Sequence, residues 1–484
     1  MKRIAIIGGG ISGLTAAFRL EERRRQGAPL EYVLFEASHR FGGVVQTDHV
    51  DEFVVEAGPD SFLTGKVWAA DLCRELELGD YLITSNDARR RTYVVLKGQL
   101  VPLPDGLMFM VPTKPFSAFF SPLFSWKTKL RMIREWFYAP IASDEDISVA
   151  KFVEQHYGRE MVDRVAGPLL AGVYGGSADE LSVRSVLPLF VEMEAKFGSL
   201  GKAMVRSSRE REKFAGSEGR PRAAAPTRGV FTSLKNGMQQ MADALLARIP
   251  DDAKRLNTPV TSVRPESGKW LVIAGGRTEE FDGVIVGTPA YVTSALLCES
   301  NAEFRSTLAS IRYSSSVTMA FAYDVEISGV LPPGFGFLLP ETENERLIAA
   351  TFVHNKFPHR APDGCALIRC FLGGTRDEAI LQLSDGELTA IVRRELEAIL
   401  GIKADPRFVR IYRWKQAMAQ YGVGHRERVE RIRMAISGMP GLGLGGNYLG
   451  GIGVPDCVRS GSEAAAKVLA ELNIPPADFV DPRR

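Results

Sequence analysis

The stretch 3-RIAIIGGGISGL-14 joins a short apolar segment to a run of glycines, and it decides the fold class. Residues 3–8 predict a buried parallel strand, and residues 15–25 predict the helix that follows it. A second strand, over residues 31–36, ends in Glu36. The order strand, glycine turn, helix, strand is typical of a βαβ unit in a doubly wound α/β domain.

The spacing of the glycines predicts a binding site for a dinucleotide. Gly8 allows a tight turn, Gly10 lets the backbone approach a pyrophosphate, and Gly13 lets the helix pack closely on the strand. The free N–H groups and the positive end of the helix dipole then favour the phosphates. An acid at the end of the second strand suits the ribose hydroxyls. The predicted contacts are Gly8, Gly9, Gly10, Ile11, Ser12, Gly13 and Glu36.

Three further segments have the small residues that a backbone needs to approach a flat ring or a phosphate. Arg40 and the pair Gly42-Gly43 follow the second strand and resemble the glycine-doublet signature of flavin-binding proteins. Gly58-Pro59-Asp60-Ser61 predicts a rigid turn. Residues 445–457 predict a glycine-rich loop before a C-terminal helix over about 457–472.

The composition excludes several classes of protein. With 60 basic and 58 acidic residues among 484, the net charge of +2 argues against a general nucleic-acid binder. Five cysteines without a Cys-x-x-Cys pair and six scattered histidines predict neither a disulfide framework nor a metal site.

The N-terminus lacks the pattern of a secretory signal, which predicts a cytoplasmic protein.

The pattern along the chain predicts a discontinuous dinucleotide-binding domain. Strand signals around 258–264, 269–274 and 282–286 return after a helical region, and 282–289 has the pattern of a last sheet strand. Strands near 316–323, 347–353 and 365–372 predict an α+β domain. The predicted segments are 1–85, 229–289 and 406–484 for the dinucleotide-binding domain, 86–205 for a helical domain facing substrate or membrane, 206–228 for a flexible insertion, and 290–405 for the substrate domain.

Four separated stretches give the chain a closer resemblance to one family. They are Gly58 to Leu63, Ala171 to Gly176 with Glu180-Leu181-Ser182, Gln420 to His425, and Gly451 to Cys457. Together they resemble the oxygen-dependent porphyrinogen oxidases of haem synthesis, and most closely the bacterial coproporphyrinogen III oxidases. The Pro-Asp-Cys ending of the last stretch separates this group from the amine oxidases.

The resemblance implies a Rossmann-like, amine-oxidase-like FAD-binding domain with an α+β substrate domain and an inserted helical domain. It implies non-covalent FAD and a six-electron oxidation of a porphyrinogen, with three oxygen molecules reduced to hydrogen peroxide. Coproporphyrinogen III is the favoured substrate, and protoporphyrinogen IX is the alternative. The resemblance leaves open a monomer or homodimer and contact with the next enzyme of the haem pathway.

The resemblance also implies roles for individual residues, and the flavin carries the chemistry with no assigned catalytic side chain. Residues expected to bind FAD, beyond the first glycine turn and Glu36, are Arg40, Gly42, Gly43, Gly58, Pro59, Asp60, Ser61, Val260, Asn447, Ile452, Gly453 and Val454. Residues expected to bind substrate are Lys66, Arg90, Gly172 through its carbonyl, Phe335, Leu338 and Phe371. Phe371 replaces a methionine of some relatives.

Two other functions remain as alternatives at this stage. Another flavoenzyme, an amine oxidase or carotenoid desaturase, would share the fold and the first motif but not the Pro-Asp-Cys loop. A non-catalytic protein of the Rab-escort kind would have lost the flavin, and a yellow purified protein would exclude it.

Residues 100–137 combine large apolar side chains with Lys114, Lys127, Lys129 and Arg131. One interpretation is a helical face that lies on the inner surface of the cell membrane, where basic residues meet anionic head groups. The other is that these apolar residues line the core of the substrate domain. Because proline and charged residues interrupt the stretch, it does not predict a membrane-spanning helix.

Overall fold

The computed structural model describes residues 1–474 apart from 114, 142, 208–228, 298–300, 325–326 and 328–329. The α-helices span Ile11–Arg25, Trp68–Glu75, Pro115–Phe120, Trp126–Glu135, Val149–Tyr157, Arg159–Met161, Gly167–Tyr174, Val183–Val186, Pro188–Phe197, 200–207, Gln239–Arg248, Ala290–Leu296, Ala302–Ala309, Val353–Lys356, Asp385–Leu400, His425–Ser437 and Val454–Glu471. Almost all of the insertion that the sequence predicts at 206–228 therefore lies outside the described residues.

A five-stranded parallel sheet gathers strands from distant parts of the chain. In spatial order they are Lys254–Arg255, Leu30–Phe35, Lys2–Ile7, Gly283–Val286 and Leu442–Leu444. The inner strands are buried along nearly their whole length, as expected when helices cover both faces. Gly283–Val286 is thus an inner strand and not the last one, because Leu442–Leu444 pairs with its outer side.

A seven-stranded mixed sheet forms the second large unit. Its strands, in spatial order, are Phe408–Ala419, Tyr313–Tyr323, Ala366–Gly373, Leu347–Phe352, Gly336–Leu338, Thr92–Leu96 and Gln99–Pro102. One face packs its apolar side chains with those of the helix Asp385–Leu400, and the other face packs against Phe53 and Val55. The two strands from 92–102 were expected in the helical segment, but their alternating pattern pairs them with the substrate sheet instead.

Smaller sheets connect these units. Two-stranded pairs are formed by Thr47–Val50 with Phe53–Glu56 and by Leu107–Met108 with Val111–Pro112. Three-stranded sheets are formed by Phe62–Leu63, Phe231–Leu234 and Leu82–Thr84, and by Val260–Glu266, Lys269–Ala274 and Arg277–Phe281.

Some apolar residues of the region 100–137 lie in the core, as one interpretation of the sequence expects, and others are exposed. Met110, Leu123 and Phe124 are buried in the core. Six other apolar residues are exposed, namely Phe116, Phe120, Trp126, Leu130, Ile133 and Phe137. In the described part of the chain no helix is both long enough and apolar enough to cross a membrane.

Candidate active site

The first glycine turn has the close contacts that its sequence spacing predicts. Gly8 has a positive φ of 98°, a region that L side chains rarely adopt. A Cβ atom on Gly13 would lie 1.8 Å from the carbonyl oxygen of Gly8, so only glycine fits where the helix begins. A Cβ atom on Gly10, in contrast, would meet no atom within 4 Å. The turn is therefore tight on the strand side and open beside Gly10.

Glu36 is held in place by the backbone on both sides of it. One carboxylate oxygen accepts a hydrogen bond of 2.6 Å from the N–H of Gly9, and the other accepts one of 2.8 Å from Ser38. The carbonyl of Glu36 accepts a bond of 2.9 Å from Thr258, two residues before Val260. The structure thus places the acid predicted for the ribose beside the glycine turn and near the strand that begins at Val260.

Arg40 has a structural partner that the sequence did not reveal. Its guanidinium donates to the carbonyls of Gly43 at 2.6 Å and Val45 at 2.7 Å, and so closes the turn around the glycine pair. Gly42 and Gly43 both have positive φ values, 102° and 57°. A Cβ atom on Gly43 would lie 3.2 Å from the Cα of Gly10, which places the glycine pair directly beside the first turn.

The C-terminal glycine loop packs against the same turn. The Ser12 hydroxyl lies 3.0 Å from the carbonyl oxygen of Cys457 and 3.3 Å from the hydroxyl of Ser460. Gly461 allows this approach, because a Cβ atom there would lie 2.2 Å from the Ser12 carbonyl. The helix Val454–Glu471 therefore begins next to the helix Ile11–Arg25. Both helix N-termini are brought to one place in the fold.

The stretch 420–425 supports that loop from the side. Tyr421 donates a hydrogen bond of 2.6 Å to the carbonyl of Asn447 and accepts one of 2.7 Å from the N–H of Gly451. His425 stacks on Tyr421 with ring centroids 4.0 Å apart, and its Nε2 lies 3.0 Å from the Tyr448 carbonyl. Burial lowers the pKa of His425 to about 4, so the ring is neutral at pH 7. The stretch therefore positions the glycine loop, and His425 does not change its charge near neutral pH.

The loop Gly58 to Ser61 is held by charged side chains from another part of the chain. Asp60 and Ser61 both accept hydrogen bonds from the buried ammonium of Lys356, at 2.9 and 3.0 Å. Arg369 donates to the carbonyl of Gly58. Burial by itself would raise the pKa of Asp60, but Lys356 and Arg369 outweigh that effect and hold it below its ordinary value. Asp60 is therefore an anion committed to holding the loop.

A second buried ion pair lies just before this loop. Glu56 pairs with Arg360, which is fully buried, and the carboxylate also accepts bonds of 2.7 Å from the N–H of Met238 and the hydroxyl of Thr47. Arg360 also donates to the hydroxyl of Ser233 at 2.6 Å. These contacts join the segment before Gly58 to the strand Phe231–Leu234.

The seven-stranded sheet brings two predicted substrate residues, Leu338 and Phe371, into one row with Ala349 between them. Leu338 lies opposite Ala349, and Ala349 lies opposite Phe371, in the cross-strand register. Directly opposite residues point to the same face of a sheet. A Cβ atom on Gly172 would lie 3.7 Å from a methyl carbon of Leu338, so the helix Gly167–Tyr174 covers this row. All three side chains of the row are apolar, and those of Leu338 and Ala349 are buried.

The other predicted substrate residues lie around this row. Arg90 is about half exposed, with Asp87 3.8 Å away, just before the strand Thr92–Leu96. Phe335 is buried, but it precedes the strand Gly336–Leu338 and the strand period of two does not carry it onto the face of Leu338.

Lys66 has an internal partner. Its ammonium lies 2.6 Å from the buried carboxylate of Asp456, in the first turn of the C-terminal helix. Lys66 is itself 40% exposed and therefore still reaches the surface of the protein. Lys66 stays a predicted substrate residue, and the structure adds Asp456 as its partner.

Sequence reasoning missed Lys356, Arg360 and Arg369. Arg369 stands in the apolar stretch Ala366 to Gly373, where a charged residue is unusual, whereas Lys356 and Arg360 lie among polar and aromatic residues and give no such signal. That departure from an apolar pattern was the only signal available, and it names no partner.

The described residues include no group of histidine, cysteine and acidic side chains arranged to hold a metal ion, and Cys73, Cys365, Cys370 and Cys457 are free thiols.

The glycine turn, the oriented acid and the second glycine loop together define a nucleotide-binding oxidoreductase of the doubly wound α/β class. The chain belongs to the family of flavin-containing amine oxidoreductases, whose family model matches residues 11–469. It is an FAD-dependent oxidoreductase, and the open space beside Gly10 together with the fixed carboxylate of Glu36 fits this cofactor.

Relatives and solved structures cover nearly the whole length of the chain. A coproporphyrinogen III oxidase of Bacillus subtilis is 32% identical over 474 residues, covering 97% of this chain and 98% of the relative. A mitochondrial protoporphyrinogen oxidase of Nicotiana tabacum is 28% identical, covering 97% and 95%. The crystal structure of an Exiguobacterium protein, provisionally assigned as a protoporphyrinogen oxidase, matches with a TM-score of 0.85 at 28% identity, covering 98% and 99%.

Proposed function

We propose that this protein oxidises a porphyrinogen to a porphyrin with oxygen as the electron acceptor, and that coproporphyrinogen III is its substrate. The observation that carries the proposal is the apolar row of Leu338, Ala349 and Phe371 next to Gly172. It lies on the sheet face that Arg369 links to the loop at Gly58. The similarity to the Bacillus subtilis enzyme favours coproporphyrinogen III over protoporphyrinogen IX.

In this proposal the protein binds and orients, and the flavin, when bound, supplies the redox chemistry by taking hydride from the substrate and passing electrons to oxygen. The apolar row holds the macrocycle flat and excludes water. The Gly172 carbonyl accepts a hydrogen bond from a pyrrole N–H. Arg90 pairs with a propionate, because a guanidinium binds a carboxylate through two parallel N–H groups.

The deciding experiment measures steady-state oxidation of coproporphyrinogen III and protoporphyrinogen IX by one preparation of the FAD-loaded enzyme. The expected result is a higher kcat/KM for coproporphyrinogen III, with hydrogen peroxide formed in step with porphyrin. A preference for protoporphyrinogen IX would overturn the substrate assignment. No oxidation of either compound would overturn the proposed activity.

Arg90→Ala is expected to raise KM for the porphyrinogen about tenfold and to leave kcat nearly unchanged, since one charge-assisted hydrogen bond contributes about 1.5 kcal/mol. A propionate lies far from the carbon that loses hydride, so its contact contributes equally to the ground state and the transition state. Arg74→Ala is the matched control, because Arg74 is similarly exposed and also pairs with an aspartate three residues away. A fall in kcat with unchanged KM would contradict the positioning role.

Lys66→Ala separates the two roles that remain for this lysine. Contact with substrate would raise KM for coproporphyrinogen III more than for protoporphyrinogen IX, which has fewer carboxylates. Support of the glycine loop through Asp456 would instead weaken FAD binding. Flavin content, compared with the two KM values, identifies the role.

We also propose that the exposed helix face around Trp126–Glu135 contacts anionic membrane surfaces. Trp126, Leu130, Ile133 and Phe137 are exposed at helical spacing. On the same helix Lys129 lies 5.2 Å from the Trp126 ring, and Lys127, Arg131 and Arg134 add positive charge. Aromatic residues beside basic ones suit the boundary between head groups and acyl chains.

Flotation with vesicles tests this contact. We expect the FAD-loaded enzyme to bind vesicles that contain phosphatidylglycerol, to bind phosphatidylcholine vesicles weakly, and to be released by salt. Trp126→Ser combined with Phe137→Ser should reduce the bound fraction several-fold, whereas Met434→Ser, an exposed apolar residue on the helix His425–Ser437, should not. Equal binding of both vesicle types at high salt would contradict the proposal.

A further inference from the structure

Arg369 connects the two halves of the proposed active site. Its side chain lies in the apolar strand Ala366–Gly373 and is buried. The guanidinium donates to the carbonyl of Gly58 and lies 3.4 Å from that of Ala57, and its central carbon lies 4.8 Å from the centre of the Phe371 ring. One side chain therefore contacts both the loop proposed to meet the flavin and the wall proposed to meet the macrocycle.

Among the described residues, Arg369 is also a buried cation that has no carboxylate as an ion-pair partner. Glu56 pairs with Arg360, and Asp60 pairs with Lys356 at 2.9 Å. Within the described part of the chain, no carboxylate oxygen lies within 4.0 Å of a guanidinium nitrogen of Arg369. Its Nε–H is buried without a hydrogen-bond partner. This buried cluster of five charged residues therefore carries one net positive charge, which Arg369 supplies.

Stability alone does not explain such a residue. A buried charge without a counter-ion is unfavourable compared with an apolar side chain of similar size. Departures of this kind from the rules of folding are expected at functional sites. Because surrounding protein screens a charge far less than water does, a buried cation acts on charges several ångströms away.

We propose that Arg369 raises the reduction potential of the bound flavin by placing a fixed positive charge behind the loop at Gly58. This inference rests on the proposed position of the flavin against residues 58–61. Arg369 acts through the loop and is thus a positioning and electrostatic residue. Burial lowers the pKa of Arg369, but an arginine starts so far above neutral pH that its guanidinium stays protonated at pH 7.

The test is the midpoint potential of the FAD-loaded full-length enzyme, measured against a reference dye without porphyrinogen. For Arg369→Gln we expect the equilibrium constant of two-electron reduction to fall about tenfold or more, which corresponds to about 30 mV. Arg369→Lys keeps the charge and should stay close to wild type. Thr351→Asp places a carboxylate directly opposite Arg369 in the sheet register and should lower the potential while Arg369 remains in place.

Two controls separate charge from disturbance of the loop. The double variant Glu56→Gln, Arg360→Met removes a buried ion pair just before the same loop without changing the net charge, so its potential should stay at the wild-type value. Arg410→Gln removes an exposed arginine two strands away in the same cross-strand row and should have no effect, because water screens it.

The inference is overturned if Thr351→Asp and Arg369→Gln keep the wild-type potential, or if Arg369→Lys shifts it as far as Arg369→Gln. It is also overturned if the neutral double variant shifts the potential as far as Arg369→Gln does. Should Arg369→Gln not fold, Arg369→Lys and Thr351→Asp still decide. A wild-type enzyme inactive on both porphyrinogens would refute the proposed function and leave these potentials as an independent result.

Discussion

Replacing Gly10 by valine is expected to give a folded protein that has lost most of its FAD. The structure has no atom within 4 Å of a Cβ placed on Gly10, and its φ is not positive, so the fold itself tolerates a side chain there. The open space is the one that the glycine spacing predicts for the pyrophosphate. A branched side chain in that space should weaken FAD binding more than tenfold, or by more than about 1.4 kcal/mol.

The measurement is flavin content per folded chain, with circular dichroism to verify folding. Gly386→Val is the matched control, because a Cβ on Gly386 also meets open space but lies on the helix Asp385–Leu400. Gly13→Ala should behave differently and lose the fold, since its Cβ would lie 1.8 Å from the Gly8 carbonyl oxygen. A folded Gly10→Val protein with full flavin content would contradict the predicted site.

Replacing Glu56 by glutamine is expected to cause the largest loss of stability among isosteric changes near the site. Arg360 is fully buried, and Glu56 is 4% exposed. Removing the negative charge leaves the arginine buried without its counter-ion, which costs about 3–5 kcal/mol. The amide also loses part of the acceptor capacity that Met238 and Thr47 use. Urea unfolding at a fixed excess of FAD measures the change.

Asp71→Asn provides the matched exposed pair. Asp71 and Arg74 are both more than half exposed, so this change should alter the free energy of unfolding by at most about 1 kcal/mol. The double variant Glu56→Gln, Arg360→Met should be less damaged than Glu56→Gln alone, because the uncompensated charge is gone. If Glu56→Gln and Asp71→Asn proved equally stable, the buried pair would not matter for stability.

Much of the nucleotide-binding half could be predicted from sequence because its signals are local. The apolar strand before Gly8, the helix after it and the acid Glu36 lie within 36 residues, and each follows from periodicity or from the conformational freedom of glycine. The structure confirms the strand Lys2–Ile7, the helix Ile11–Arg25 and the strand Leu30–Phe35. The flavin-containing family was likewise predictable from short motifs.

The sheet order was harder to predict. Gly283–Val286 has the apolar run of a buried strand, but nothing local shows that Leu442–Leu444, some 150 residues later, pairs beyond it. The strands from 92–102 were assigned to the wrong unit for the same reason. Strand pairing depends on long-range hydrogen bonds, and a period of two reveals only that a strand exists.

The sequence by itself determined the fold class, the cofactor and the glycine positions, since these depend on residues close together in the chain. Only the tertiary structure decided the partners of the charged groups. In the folded protein Lys66 pairs with Asp456, and Lys356 is buried against Asp60. Arg369 donates to the Gly58 carbonyl and has no carboxylate as an ion-pair partner among the described residues. The sequence gives the identity of a charged residue but does not say whether water or protein surrounds its side chain. Its energy depends on burial and on neighbours hundreds of residues away, which exist only once the chain has folded.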